Sequence, residues 1–149
     1  MTVTVRLTTG HPYFAEAAEL FDDYRQHYGA NSAPEAVERW MRDLMSQEAM
    51  RIYVATAGDR IRGLCSVSVV PASLTLRTSW MLRDLYVDPD ARHGGVACAL
   101  ISHIAEEARL AGAHRLSLQT EVGNERALHL YAKAGFEVVA GVSLLHRIL

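Results

Sequence analysis

Apolar and polar positions change period several times along the chain, and each change marks an element. From Thr2 to Thr8, Val3, Val5 and Leu7 alternate with Thr4 and Arg6, the period of a strand with one buried face. After Pro12 the step lengthens: Phe14, Ala17, Ala18, Phe21 and Tyr24 line one side of a helix. A second helix is predicted over Pro34 to Glu48, with Ser32 or Ala33 as its cap and Pro34 in its first turn. Arg51 to Ala57 and Arg60 to Val70 predict a hairpin turned at Gly58-Asp59 and stopped by Pro71, and Thr78 to Val87 a third long strand. Val96, Leu100, Ile101, Ile104, Ala105, Ala108 and Ala111 predict one face of a helix ending near Gly112. Arg115 to Thr120, with Leu116 and Leu118, then predicts a strand parallel to the one ending at Val87, because a helix crosses between them in a right-handed β-α-β unit. Asn124 to Ala134 reads as the last helix, Gly135 as its C-cap, and Phe136 to Val139 with Ser143 to Ile148 as a terminal antiparallel pair.

Composition narrows the class. With 149 residues, half of them hydrophobic, the chain suits one domain over 1–149 with a single core. A formal net charge of -2 argues against nucleic-acid or membrane partners, which need a basic face, and favours small-molecule chemistry. The first residues lack the basic start and apolar core of a signal peptide, and no apolar run approaches the roughly 18 residues of a membrane span, so a soluble cytoplasmic protein is expected. Cys65 and Cys98 read as reduced core residues. Without a C-x-x-C or H-E-x-x-H pattern, no metal site is expected.

Candidate chemistry concentrates between Leu85 and Ala97, where a buried strand ends at Asp88-Pro89-Asp90 and a glycine loop, Arg92 to Gly95, opens the next helix. A helix N-terminus offers free amides and partial positive charge; Gly94 and Gly95 permit close approach, and Arg92 adds a cation suited to phosphate. Taken alone, two glycines between a strand and a helix are more often just a tight turn. G-x-G-x-x-G and G-K-[ST] are absent, which argues against a dinucleotide oxidoreductase or P-loop enzyme.

Arg92-x-x-Gly95-x-Ala97 resembles the coenzyme A pyrophosphate loop of the GNAT superfamily of acetyl-CoA-dependent N-acetyltransferases. It is preceded by Asp84-Leu85-Tyr86-Val87-x-Pro89 and followed by Asn124-x-x-Ala127-x-x-Leu130-Tyr131-x-Lys133-x-Gly135-Phe136, similar to that family's two central motifs in order. The resemblance is close from about Leu82 to Glu137. It implies a GNAT-like α/β fold: a mixed, mostly antiparallel central sheet flanked by about four helices, with a β-α-β unit carrying the coenzyme A site. It implies transfer of an acetyl group from acetyl-CoA to a primary amine of a small molecule, by direct attack within a ternary complex. On this pattern Arg92, His93, Gly94, Gly95, Val96 and Ala97 would hold the pyrophosphate. The backbone of Leu85, Tyr86 and Val87 would pair with the pantetheine arm, with an N–H near Val87 on the thioester oxygen. Asn124 and Lys133 would also meet the cofactor, and Tyr131 would be the general acid.

Each residue also has a plainer reading. Tyr131 could pack on the sheet through its ring, Asn124 could cap its helix, and Lys133 could be a solvated charge. Gln26 to Ser32 sits where the family places a wall for the acceptor, though it reads equally as a helix connection. Tyr24, His27, Tyr28, Trp80, Arg83, Asp84 and Glu121 are the candidate acceptor residues. The general base is open among Asp84, Glu121, Asp22, Asp23, Glu35, His27 and a water chain. The Asp84 to Val87 run resembles the diamine acetyltransferases, which carry Glu where this chain has Arg83; a cation there disfavours polyamines. A non-catalytic acyl-CoA sensor and an enzyme acting on protein amines are the alternatives, and a homodimer is left open.

Overall fold

The computed structural model describes residues 1–149, which form two compact units, Met1–Gln119 and Thr120–Leu149. In the first, β1 (Thr2–Arg6) leads to α1 (Phe14–His27) and α2 (Pro34–Ser46). Three longer strands follow: β2 (Arg51–Ala57), β3 (Arg60–Ala72) and β4 (Arg77–Val87). A 3-10 turn at Pro89–Ala91, α3 (Val96–Leu110) and β5 (Arg115–Ser117) complete the unit. The sheet order is β1-β2-β3-β4-β5, with every pair antiparallel except β4 and β5, which are parallel as the intervening helix predicts. This is the mixed, mostly antiparallel α/β architecture expected.

The register assigns each face of the sheet. Val54, Leu64 and Tyr86 are cross-strand neighbours on one face and share a core with Phe14, Phe21, Val37 and Met41 of α1 and α2. The other face carries Tyr53, Cys65, Val67, Trp80 and Leu82 and receives α3, where the Tyr53 hydroxyl donates a 2.6 Å hydrogen bond to Glu107. Fully burying one such side chain is worth about 1.5–3 kcal/mol, so these two faces supply most of the drive to fold. Two irregularities break the alternation. Between Ala55 and Thr56 the register of β3 shifts past Arg62, and between Ser66 and Val67 that of β4 shifts past Arg83. A bulge of this kind reverses which face the following side chains take.

Several expected details differ. β3 does not stop at Pro71, which pairs with Thr78. By then β3 has outrun β2, whose ladder covers only Arg60 to Val67, so the missing N–H lies where one edge is unpaired. Ala33, one of the two expected caps, is the N-cap of α2, but no side chain caps the helix. On α3, Val96, Leu100, Ile101, Ile104 and Ala108 are buried, but Ala105 and Cys98 are exposed; at about 100° per residue both fall well around the helix from the buried stripe. Cys98 is therefore a surface thiol, whereas Cys65 is buried as expected. Ala111 lies beyond the last turn, and β5 ends at Ser117 rather than Thr120.

In the second unit, α4 spans Glu125–Lys133, with Asn124 as its N-cap accepting from the Ala127 amide at 3.2 Å. Gly135 follows the helix at φ 94°, the left-handed geometry that ends helices. Residues 136–149 form no strand, so the expected terminal pair is not seen within this unit. A lone two-stranded ribbon is marginal without a third strand or a helix to pack on.

Candidate active site

At the end of β4 the chain is tied back into the sheet before it turns. The Asp88 amide donates to the Arg62 carbonyl at 2.8 Å, and the Asp88 carboxylate accepts from the Asp90 amide at 3.0 Å, which starts the 3-10 turn. His93 and Gly95 then take left-handed conformations, φ 66° and 81°, and Gly95 is the N-cap of α3. Glycine adopts that geometry freely; His93 is held in it at a cost of about 1 kcal/mol or more. No side chain caps α3, and its first turn contains no acidic residue. The first helical bond runs from the Ala99 amide to the Gly95 carbonyl, so the amides just before Ala99 have no partner within the helix. Arg92 is exposed beside them: its Nε donates to the Val87 carbonyl at 3.3 Å and its guanidinium lies 5.7 Å from the Tyr86 ring centre.

Gly63 determines how closely α3 approaches the sheet. A Cβ there would lie 2.7 Å from Val96 Cγ1, 3.2 Å from Leu100 Cδ1 and 3.2 Å from the Tyr86 carbonyl oxygen. On its outer side, β4 pairs with β5 only over Ser79 to Met81. The strand continues to Val87, so Leu85 to Val87 lie beyond that ladder.

On the face covered by α1 and α2, a cavity of about 650 Å³ opens against β3 and β4. Its apolar wall comes from Phe21 of α1, Val37, Trp40 and Leu44 of α2, and Met50. Its polar wall comes from Tyr24, Ser66, Ser68, Arg83 and Asp84. Asp84 is the only carboxylate among the lining residues. It is oriented from both sides: the Tyr24 hydroxyl donates to Oδ1 at 2.9 Å, and the Ser66 hydroxyl donates to Oδ2. Adjacent residues on a regular strand point to opposite faces; the bulge at Arg83 lets both Arg83 and Asp84 line this cavity. Next to it, Tyr24, Tyr28, His27 and Tyr86 form a ring cluster, with Tyr24 5.2 Å from Tyr28 and 5.6 Å from Tyr86, and His27 6.1 Å from Tyr86.

The connection between α1 and α2 is latched by Asp22, which is 3% exposed. Its carboxylate accepts from the Ala33 amide at 3.0 Å, the Ser32 hydroxyl at 2.8 Å, Gln26 at 3.1 Å and Arg25 at 2.9 Å. Burial alone would raise its pKa, but these donors and the Arg25 charge outweigh it, and the net shift is downward. Ala33, the N-cap of α2, gives its amide to this carboxylate and Ser32 its hydroxyl. Elsewhere, burial pushes the Cys65 thiol and the Tyr53 hydroxyl far above their ordinary pKa, so neither ionises near neutrality.

The expected acceptor residues therefore divide. Tyr24, Arg83 and Asp84 line the cavity, and His27 and Tyr28 join its neighbouring ring cluster. Trp80 is elsewhere: it is 1% exposed, pairs with Val69 on the α3 face, and is covered by the Arg51 guanidinium at 4.9 Å. Asp22 is absorbed by its latch, and Asp23 and Glu35 are not among the lining residues. In the second unit, Glu121 precedes α4 and accepts the Asn124 amide through its carbonyl at 3.0 Å. Tyr131, on α4, packs edge-on to Phe136 at 5.9 Å, and Lys133 is the helix's last residue. Phe21, Trp40, Ser66 and Ser68, which are not among the sequence candidates, also line the cavity. Their periodicity marks them only as helix and strand positions.

Residues 15–136 match the Acetyltransferase (GNAT) family. The uncharacterized N-acetyltransferase YhfO of Bacillus subtilis (strain 168) is 30% identical over 127 residues, covering 85% of each chain. A crystal structure of a probable acetyltransferase superposes with a TM-score of 0.91 at 31% identity, covering 99% of this chain and 97% of that one. The ribosomal-protein-alanine N-acetyltransferase of Brucella melitensis biovar Abortus 2308 has a TM-score of 0.83 at 21% identity, with 99% of this chain and 100% of that one covered, and at that identity shares the fold alone. With the expected fold in place and the match spanning most of its length, this chain belongs to the GNAT acetyltransferase family.

Proposed function

We propose that the protein transfers an acetyl group from acetyl-CoA to a primary amine of a small molecule, by direct attack. The observation that carries this reading is the course of β4. It passes the cavity at Asp84 and three residues later ends at Val87, where the chain turns toward the uncapped start of α3. At roughly 3.3 Å per residue that is a run of about 10 Å along one strand.

The residues present fit coenzyme A. The left-handed Gly95, the unpartnered first-turn amides and a first turn without an acidic residue suit a pyrophosphate. Arg92 adds a guanidinium beside them. Leu85 to Val87, beyond the β5 ladder, leave backbone groups for the pantetheine amides to pair with, and a Val87 N–H for the thioester oxygen. One such donor is typically worth about 3 kcal/mol. When bound, acetyl-CoA supplies an activated acyl thioester.

A neutral acceptor nitrogen forms the new C–N bond as the C–S bond breaks. The Tyr131 hydroxyl, assigned by its place in the Asn124 to Phe136 motif, delivers a proton to the departing thiolate. The proton lost from nitrogen passes to Asp84, the carboxylate lining the cavity, or to water. The test is thiol release from acetyl-CoA across a library of small amines, with the N-acetyl product identified. Amine-dependent release matching product is expected; release that no amine increases would sink the reading.

A further inference from the structure

The cavity wall carries opposite charges on neighbouring residues. Arg83 and Asp84 both line it, with Cα atoms about 3.8 Å apart across one peptide. Their states differ. The Asp84 carboxylate is held by Tyr24 and Ser66, so its position is fixed before a ligand arrives. Arg83 belongs to none of the chain's ion pairs, is exposed and lines the cavity. The other guanidinium on the wall, Arg25, is occupied by Asp22 at 2.9 Å and the Asn31 carbonyl at 3.2 Å. Arg83 is thus the lining cation with charge to spare for a ligand anion. Opposite the pair stand Phe21, Val37, Trp40, Leu44 and Met50, an apolar wall with no charge to satisfy. At about 650 Å³ the space is in the range of small-molecule sites and can take a bulky side chain.

We propose that the acceptor is a zwitterion with an apolar body, an apolar or aromatic α-amino acid or a close analogue, its amino group held by Asp84 and its carboxylate by Arg83. This rests on the acetyltransfer reading above and narrows its acceptor. A carboxylate beside the amine meets a planar cation able to bind it bidentately, and a polyamine meets that same cation as repulsion.

The experiment compares L-phenylalanine, L-phenylalanine amide, 2-phenylethylamine and spermidine as acceptors for the wild type and Arg83→Gln. Arg83 is exposed, so the substitution leaves the fold intact. In the wild type, kcat/KM for phenylalanine should exceed that for phenylethylamine and for the amide by at least about tenfold, the usual worth of one charge-assisted contact. In Arg83→Gln the phenylalanine-to-phenylethylamine ratio should fall by about the same factor. A wild-type ratio at or below one, or a ratio that Arg83→Gln leaves unchanged, overturns the zwitterion while acetyltransfer to amines stands. Spermidine as the best acceptor overturns it in the same way. No thiol release with any amine overturns the acetyltransfer reading and this one with it.

Discussion

The Tyr24 hydroxyl on α1 donates a 2.9 Å hydrogen bond to Asp84 on β4, joining residues 60 positions apart across the cavity. Ser66 completes the grip on the same carboxylate from β3. Tyr24→Phe keeps the ring and its contacts with Tyr28 and Tyr86, and removes only the donor. A lost hydrogen bond to a charged group is worth about 1.5–3 kcal/mol, so kcat/KM for the acceptor should drop roughly tenfold or more with acetyl-CoA affinity nearly constant. Steady-state kinetics with each substrate varied would separate the two. A loss confined to acetyl-CoA affinity contradicts the placement.

Asp22 should contribute to stability in a pH-dependent way. Its folded-state pKa lies below that of the unfolded chain, so the contribution is complete above about pH 4 and disappears as pH falls through the lower folded value. Asp22→Asn removes the charge that Arg25, Ser32 and the Ala33 amide bind, and should cost about 2–3 kcal/mol near neutrality. Urea unfolding of both proteins between pH 3 and pH 7 tests this. The stability gap should narrow toward the acid end, and a gap independent of pH would assign the effect to packing.

Gly63→Ala places a methyl 2.7 Å from Val96 Cγ1 and 3.2 Å from the Tyr86 carbonyl oxygen. Val96 is the first residue of α3, so relieving the clash moves the helix start proposed to bind the cofactor. A destabilisation of about 1–3 kcal/mol is expected, with weaker acetyl-CoA binding in the protein that remains folded. Thermal unfolding and calorimetric titration measure both, and full affinity in a destabilised variant would show that the helix start had not moved.

Arg92→Glu should weaken acetyl-CoA by several kcal/mol, because it replaces an exposed cation beside the α3 N-terminus with an anion at the proposed pyrophosphate site. Arg92 makes one long bond, to the Val87 carbonyl, so the fold should survive. Unchanged calorimetric affinity in the folded variant would remove the loop from the cofactor site.

Tyr131→Phe retains the edge-on packing against Phe136 and deletes the proposed proton donor. A fall in kcat of roughly 10²-fold or more, with little change in acetyl-CoA affinity, is expected because the proton is needed only as the C–S bond breaks. Near-normal kcat, measured where chemistry limits turnover, would falsify the assignment and leave Tyr131 a packing residue.

The elements themselves were legible because their signals are local. The first strand, the Gly58-Asp59 turn and the stripe from Val96 to Ala108 are each fixed by a few adjacent residues and recur in the structure, although Val3 is exposed and the burial of β1 does not follow the alternation. The glycine loop that opens α3 was legible for the same reason, since its glycines and arginine lie within a few positions of one another. Where neighbouring residues are indifferent, as at Ala105 and Cys98, a small side chain fits either a buried or an exposed site and periodicity cannot choose.

The sequence by itself determined the order and type of most elements, the family's loop, and Tyr24, Arg83 and Asp84 as candidates for the acceptor site. Only the tertiary structure decided which of the acceptor candidates meet. The bulge at Arg83 reverses the face of β4, sending Trp80 under α3 and bringing Arg83 and Asp84 together to the wall shared with α1 and α2. A one-residue shift in register leaves almost no trace in the sequence of the strand, because it is set by how β3 and β4 pair and not by either strand alone. The partners of Asp84 were hidden for a related reason: Tyr24 and Ser66 stand 60 and 18 positions away, and only folding brings their hydroxyls to one carboxylate.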